Sequence, residues 1–372
     1  MPEFLNLLPP QDALTKLLNH LPVEIESERI ESQHASGRIT ARPVVAPHPL
    51  PEFPRTTVDG YAVRAADTHG ASESLPAYLT LIGEVPMGDS PDLSLETGQC
   101  ALIHTGGMLP DGADAAVMLE YTQQARSGEI EVLRSVAVGE NVIEIGEDVR
   151  QGAEVIPAGT RLRPAEIGGL MALGIMEVEV ARKPRVGIIS SGNEVIPPQQ
   201  QPAPGQVRDI NSYTLRAAVE AAGGEAVLYG IVADTRQAML EATSRAKEEC
   251  DLVVVTAGSS ASARDLTSEI LNQLGQPGVL VHGVNTRPGK PTILAVCDGV
   301  AMIGLPGNPV SALVNIRLFV LPVLRALLGE KVRPQATLPA QLTVNLSSKS
   351  GREDWVPVVL KESEQGYRAE PI

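Results

Sequence analysis

The sequence is poor in aromatic residues: 3% of 372, with a single Trp and three Phe. Its core must therefore be packed from Leu, Val, Ile and Ala. Cysteine is scarce too, with Cys100, Cys250 and Cys297 widely spaced and none in a C-x-x-C pair. That pattern argues against structural zinc, and it fits a reducing compartment. Positive charge is in deficit, 30 Lys and Arg against 45 Asp and Glu, for a formal charge of −15. A general nucleic-acid or membrane-surface role needs a basic face, so neither partner is expected. No stretch reaches about 18 apolar residues without charge, so no transmembrane helix is expected. The start, Met1-Pro2-Glu3-Phe4-Leu5, lacks a basic region followed by an apolar run, so no signal peptide is expected either. The expected location is cytoplasmic.

What is abundant is turn-forming residues, 34 Gly and 30 Pro. With a hydrophobic fraction of 43%, the chain reads as a soluble, core-forming protein of several domains. Three textures follow one another. Residues 1–180 are β-rich and broken by turns, with helical patterns at 11–21 and 164–173. Residues 181–330 alternate strands and helices: strands at 186–190, 226–231 and 252–256, helices at 211–222, 236–247 and 266–274. That alternation predicts a mostly parallel sheet with helices on its faces. An apolar helix is expected over 310–328. Residues 331–372 read as a short β domain. The fold class is thus multidomain α/β and β, with a central α/β domain between β-rich N-terminal domains and a small C-terminal β domain.

In parallel sheets ligands sit beyond the carboxyl ends of the strands. The turn groups fall there: Ser190-Ser191-Gly192-Asn193-Glu194, Asp234, and Ala257-Gly258-Ser259-Ser260 leading to Asp265. Carboxylates at such a rim suit Mg²⁺ shared with a phosphate, and Glu194, Asp234 and Asp265 are the candidate ligands. The plainer reading makes the acids helix caps. Two rigid turns close the region, Arg287-Pro288-Gly289-Lys290-Pro291 and Leu305-Pro306-Gly307-Asn308-Pro309-Val310-Ser311. Arg287 and Lys290 concentrate positive charge. Ser311 falls in a first helical turn, where free N–H groups favour anions. The pair reads as a floor for phosphate or another tetrahedral oxyanion. Upstream, Asp59-Gly60 is a turn signal, and Thr105 before Gly106-Gly107 could offer a hydroxyl and bare N–H groups to a ligand. Asp148 follows Gly146-Glu147, and those acids default to surface ion pairs. His104 reads as packing or solvent-facing, not as a metal ligand.

In order along the chain, these motifs resemble the molybdopterin molybdenumtransferase (MoeA) family, also found as the C-terminal module of gephyrin. The resemblance rests on Thr57-Val58-Asp59-Gly60-Tyr61-Ala62-Val63-Arg64, Thr105-Gly106-Gly107, Gly146-Glu147-Asp148, Ser191-Gly192-Asn193-Glu194 and the two turns above. It implies an interleaved N-terminal pair within 1–180, a molybdopterin-binding domain over 181–330 and a C-terminal β domain over 331–372. It implies a homodimer with its cleft between subunits, and a molybdopterin adenylyltransferase as a partner. It implies insertion of molybdate (or tungstate) into adenylyl-molybdopterin with Mg²⁺-dependent release of AMP. The residues that carry over as catalytic are Asp59, Glu194, Asp234, Asp265 and Lys290. Those that carry over as binding are Thr105, Asp148, Gly192, Gly258, Ser259, Arg287, Pro306, Gly307, Pro309, Ser311 and Arg352. The chain departs from the family where Gly-Gly-Val-Ser-x-Gly becomes Ala257 to Ser262, and where the first Lys of Lys-Pro-Gly-Lys becomes Arg287. The altered 257–265 loop keeps a second expectation alive: a paralogue that binds molybdopterin or a partner protein without efficient insertion.

Overall fold

The computed structural model describes residues 7–257, 261–331, 334, 336–364 and 366–372, with the backbone alone at 257 and 261–264. The expected Gly258 and Ser259 lie outside the described residues. The chain forms two compact units. One is Pro43–Pro157 with Gly168–Met176; the other comprises the described residues through Arg42, Ala158–Ile167 and Glu177–Ile372.

The first unit is built on a six-stranded sheet: β1 (Gly60–Val63), β2 (Ala77–Val85), β3 (Gln99–Ile103), β4 (Ala115–Met118), β5 (Thr122–Arg126) and β6 (Glu129–Val132), in the order β4-β1-β3-β2-β6-β5. Its strands alternate in the period-2 sense, so that Leu79, Cys100, Val117 and Ile130 share one core while the other side of each strand faces elsewhere. Where β1 enters the sheet the backbones come unusually close. A Cβ on Gly60 would stand 1.8 Å from the Val117 carbonyl oxygen, so no side chain fits there.

The second unit carries the expected α/β sheet: β7 (Arg185–Ser191), β8 (Glu225–Val232), β9 (Leu252–Ala257), β10 (Pro277–His282), β11 (Ile293–Cys297) and β12 (Val300–Pro306), ordered β8-β7-β9-β12-β11-β10. The first four strands are parallel, and β11 and β10 complete the sheet antiparallel. The central strands are buried on both faces, as the unbroken run Leu252-Val253-Val254-Val255 requires. Three helices match the sequence periodicity, α1 (Pro10–His20), α2 (Asn211–Ala222) and α3 (Arg236–Glu249), whereas α4 (Ala261–Gln273) begins ahead of the expected 266–274, so that Asp265, expected in the preceding loop, is helical. Last comes α5 (Pro309–Leu327), with one π-helical stretch over Ile316–Val320. This helix is long and apolar enough to cross a membrane. Here its Ile316, Phe319, Val320, Val323 and Leu324 pack into the core with Leu17 of α1 and Ile188 of β7.

In the C-terminal region, Ala340–Leu342, Val358–Ser363 and Gly366–Pro371 form a three-stranded sheet. A short stretch of it, Glu353–Asp354, runs parallel to Thr286–Arg287, which lays this region alongside the basic turn.

Candidate functional site

Topology places the carboxyl ends of β7, β9 and β12 side by side. A cavity of about 370 Å³ opens there, lined by Ser190, Ser191, Glu194, Thr256, Gly307 and Asn308. Ser190, Ser191 and Thr256 are buried at the strand ends, and the Thr256 hydroxyl donates back to the Ile189 carbonyl at 3.5 Å. Gly192 is buried beside them, and a Cβ there would lie 2.9 Å from the Glu194 carboxylate. Pro306 ends β12, and Gly307 and Pro309 border the cavity. Asn211 donates from Nδ2 to the Gly307 carbonyl at 2.9 Å, fixing that turn.

The Asp234 loop sits next to Glu194's: the Asp234 N–H reaches Asn193 Oδ1 at 3.5 Å. Asp265 lies exposed in the second turn of α4. Among the described residues no three His, Cys, Asp or Glu side chains converge as a metal cage would. The donors that do meet are oxygens, from Glu194 and the strand-end hydroxyls. A hard cation that takes one or two carboxylates plus phosphate oxygens fits such a set.

The basic turn is held from below. Asn315, wholly buried in α5, donates from Nδ2 to the Gly289 carbonyl (3.1 Å) and to Thr292 Oγ1 (2.6 Å). The Thr292 hydroxyl donates to the same Gly289 carbonyl at 2.7 Å. Gly289 has φ +104°, and a Cβ there would lie 2.6–2.9 Å from the Asn315 amide. The Lys290 carbonyl accepts from the N–H groups of Val284 and Thr292. The backbone is therefore tied down while Arg287 and Lys290 stay exposed. One buried side chain thus links this turn to the helix that starts at the cavity.

Two expectations change here. The first turn of α5 does not offer free N–H groups. Asn308 Oδ1 already accepts from the N–H of Val310 (3.2 Å) and of Ser311 (3.3 Å), and Ala312 N–H bonds the Asn308 carbonyl. The turn chemistry that suggested an anion floor also supplied the cap that occupies it. Ser311 itself is nearly buried, with its hydroxyl toward Asn308 Oδ1. Arg352, second, is brought to the basic turn by the Thr286–Arg287 pairing, yet its guanidinium forks onto Asp354 at 2.8 and 3.1 Å. That pairing, helped by Ser348, holds the Asp354 carboxyl below its ordinary pKa.

In the other unit Asp59 and Thr105 do meet. Asp59 Oδ1 accepts the Thr105 N–H at 2.9 Å. His104 bridges Glu84 (2.8 Å) and Asp59 (3.9 Å), so it stands between two carboxylates. Asp148 faces Arg55 at 3.7 Å, an exposed pair of the kind expected.

Sequence reasoning missed Asp209, Asn211, Thr256 and Asn315. Asp209-Ile210-Asn211 reads as a helix cap, and the Asp209 carboxylate does accept the Ser212 N–H at 3.1 Å. Its second property, lining the cavity, leaves no local trace. The neighbouring Ile196 and Ser212 would have been no better guide.

Comparison with known proteins agrees with this architecture. Residues 8–174 match the family description "MoeA N-terminal region (domain I and II)". Residues 187–326 match "Probable molybdopterin binding domain". The molybdopterin molybdenumtransferase of Nostoc sp. is 37% identical over 84% of this chain and 72% of its own length. That of Haemophilus influenzae is 32% identical over 95% and 86%. The crystal structure of the molybdopterin biosynthesis moeA protein from Pyrococcus horikoshii superposes with a TM-score of 0.84 at 34% identity, covering 99% of this chain and 90% of the other.

Proposed function

This chain belongs to the molybdopterin molybdenumtransferase family, and from that membership we propose that it inserts molybdate or tungstate into adenylyl-molybdopterin, releasing AMP. It is a transferase of molybdenum cofactor biosynthesis. The observation that carries the finer reading is the strand-end cavity, whose hydroxyls and Glu194 stand at one rim and whose helix holds the Arg287–Lys290 turn through Asn315.

Arg287 and Lys290 offer charge to a tetrahedral dianion, and the strand-end hydroxyls donate to phosphate oxygens. Glu194, with Asp234 on the neighbouring loop, would hold Mg²⁺ against the phosphate groups, and the resemblance adds Asp265 in the second turn of α4. When bound, Mg²⁺ neutralises phosphate charge. The protein's part is to position and to neutralise, so no covalent nucleophile is invoked. Asp59, Thr105 and Asp148 enter through the family's homodimer, in which the N-terminal part of one subunit serves the partner's cleft. That arrangement, an adenylyltransferase partner that hands over the substrate, and a cytoplasmic location rest on the resemblance.

The Arg352–Asp354 ion pair favours a second reading, binding without efficient insertion, because it engages a cation that would otherwise face the oxyanion. Single-turnover AMP release from adenylyl-molybdopterin, with Mg²⁺ and with or without molybdate or tungstate, separates the two. Oxyanion-dependent release is expected. Tight binding of the nucleotide with no release under any oxyanion would leave the binding paralogue.

A further inference from the structure

Between β7 and α2 the chain makes an excursion that is tied at every stage. Val195–Ile196 pairs in parallel with Val207–Arg208, and the Asp209 N–H donates to the Ile196 carbonyl at 2.9 Å. Arg208 Nε donates to the Pro198 carbonyl (3.0 Å) and to that of Gln200 (3.2 Å). The Pro197-Pro198 rim is therefore pinned from both ends. Below it lies a second cavity of about 410 Å³, walled by Pro197, Pro198, Tyr213, Leu228 and Ile231. It adjoins the strand-end cavity, because Val195 and Asp209 line both.

Asp209 is the polar feature that distinguishes this wall. Only 6% of it is exposed, and its recorded side-chain partner is the Ser212 N–H. Among the described residues no Lys, Arg or His is paired with it. A buried carboxylate without a cation is costly unless donors reach it, and a carboxylate can accept about four hydrogen bonds, of which the Ser212 N–H takes one. Two adjoining cavities share this carboxylate, one bordered by the strand-end residues Ser190, Ser191 and Thr256 and the other by Pro197, Pro198, Tyr213 and Leu228, and such a pair suits a ligand made of a phosphate-bearing part and a flat ring. The pyrimidinone edge of a pterin offers two adjacent donors, N3–H and the 2-amino group, which match the two oxygens of a carboxylate. The Watson–Crick edge of adenine sets its amino donor beside an acceptor nitrogen, which a carboxylate repels.

We propose that the second cavity holds the pterin ring of the substrate and that Asp209 accepts its N3–H and 2-amino hydrogens. The proposal rests on the reading that the substrate is a molybdopterin nucleotide. The test is fluorescence titration of the full chain with 6-hydroxymethylpterin, and separately with AMP. Asp209→Asn keeps the acceptor for Ser212 but turns an amide N–H₂ toward the pterin donors. It is expected to weaken pterin binding by about 10-fold or more, equivalent to about 1.4 kcal/mol, and not to weaken AMP binding, because it takes a negative charge away from the phosphate side of the wall. Tyr213→Ala removes an exposed wall with little risk to folding, and is expected to weaken pterin binding severalfold. Unchanged pterin affinity in both variants, an equal loss for AMP, or no saturable pterin binding by the wild type would overturn the proposal. AMP release is scored independently. Release without an effect of Asp209 on pterin sinks this inference alone, and pterin binding through Asp209 without release sinks the insertase reading alone.

Discussion

The strand-end rim of the α/β sheet and the Asp59 turn of the other unit use similar residues, small hydroxyls and carboxylates beside glycines, in opposite states of burial. At the rim, Ser190, Ser191 and Thr256 are buried and Asp209 is nearly so, and the adjoining turns are held by Asn211 and Asn315. At the Asp59 turn the groups are exposed, and a single backbone hydrogen bond from Thr105 orders the carboxylate. Electrostatic interactions are stronger where water is excluded. The rim is therefore the more ordered of the two groupings and the Asp59 turn the more exposed.

That contrast can be broken by mutation. Lys290→Ala removes the charge from a turn whose backbone stays tied, and AMP release should fall by about 100-fold or more with an unchanged unfolding midpoint. A loss below tenfold would mean that the rim does not hold the oxyanion through Lys290. Gly289→Ala should act through the fold instead. The added Cβ meets the Asn315 amide at a positive φ, and urea unfolding should show a loss of at least about 2 kcal/mol. An unaltered midpoint would show that the turn yields. In the other unit, Asp59→Asn retains an oxygen for the Thr105 N–H, so a drop of about tenfold in release is expected with unchanged stability. A loss as large as that of Lys290→Ala would erase the contrast. Asp354→Asn frees Arg352 at neutral pH and should tighten the half-saturating molybdate concentration by about two- to threefold; weaker oxyanion dependence would place Arg352 outside the site.

The smallest effect concerns the buried thiols. Burial pushes Cys100 up to about 12 and Cys297 up to about 11, while an unfolded thiol titrates near about 8.5. Folding keeps these thiols protonated. Their contribution is thus fully present below about pH 8.5 and is lost as pH rises toward the folded values. Urea midpoints should fall from about pH 8.5 upward, less so in Cys100→Ala. Iodoacetamide should label both thiols only on unfolding, and rapid labelling of the native chain at neutral pH would contradict their burial.

The α/β layer was legible from the sequence because each element announces itself locally. Residues 252–255 are a continuous apolar run, α2 begins and ends where periodicity and Gly223 place it, and Pro309 opens α5. The antiparallel completion by β11 and β10 was not legible, since a strand's direction depends on its neighbours and not on its own residues. The site was legible only in part. Glu194, Gly307 and Pro309 border one cavity, but the α5 N-terminus is closed by Asn308 and Arg352 is taken by Asp354. Asn315 gave no signal, being one polar residue in an apolar helix.

Local pattern by itself settled which segments form strands, helices and rigid turns, because backbone propensity, proline and glycine act over a few residues. It also settled the family, through motifs read in order. Tertiary structure decided which of those turns share a rim, which N–H groups remain free, and which carboxylate is buried between two cavities. Those properties follow from the packing of segments distant in sequence: Asn211 against Gly307, Asn315 against Gly289, Arg287 beside Asp354. Burial and hydrogen-bond competition are set by that packing and not by neighbours along the chain.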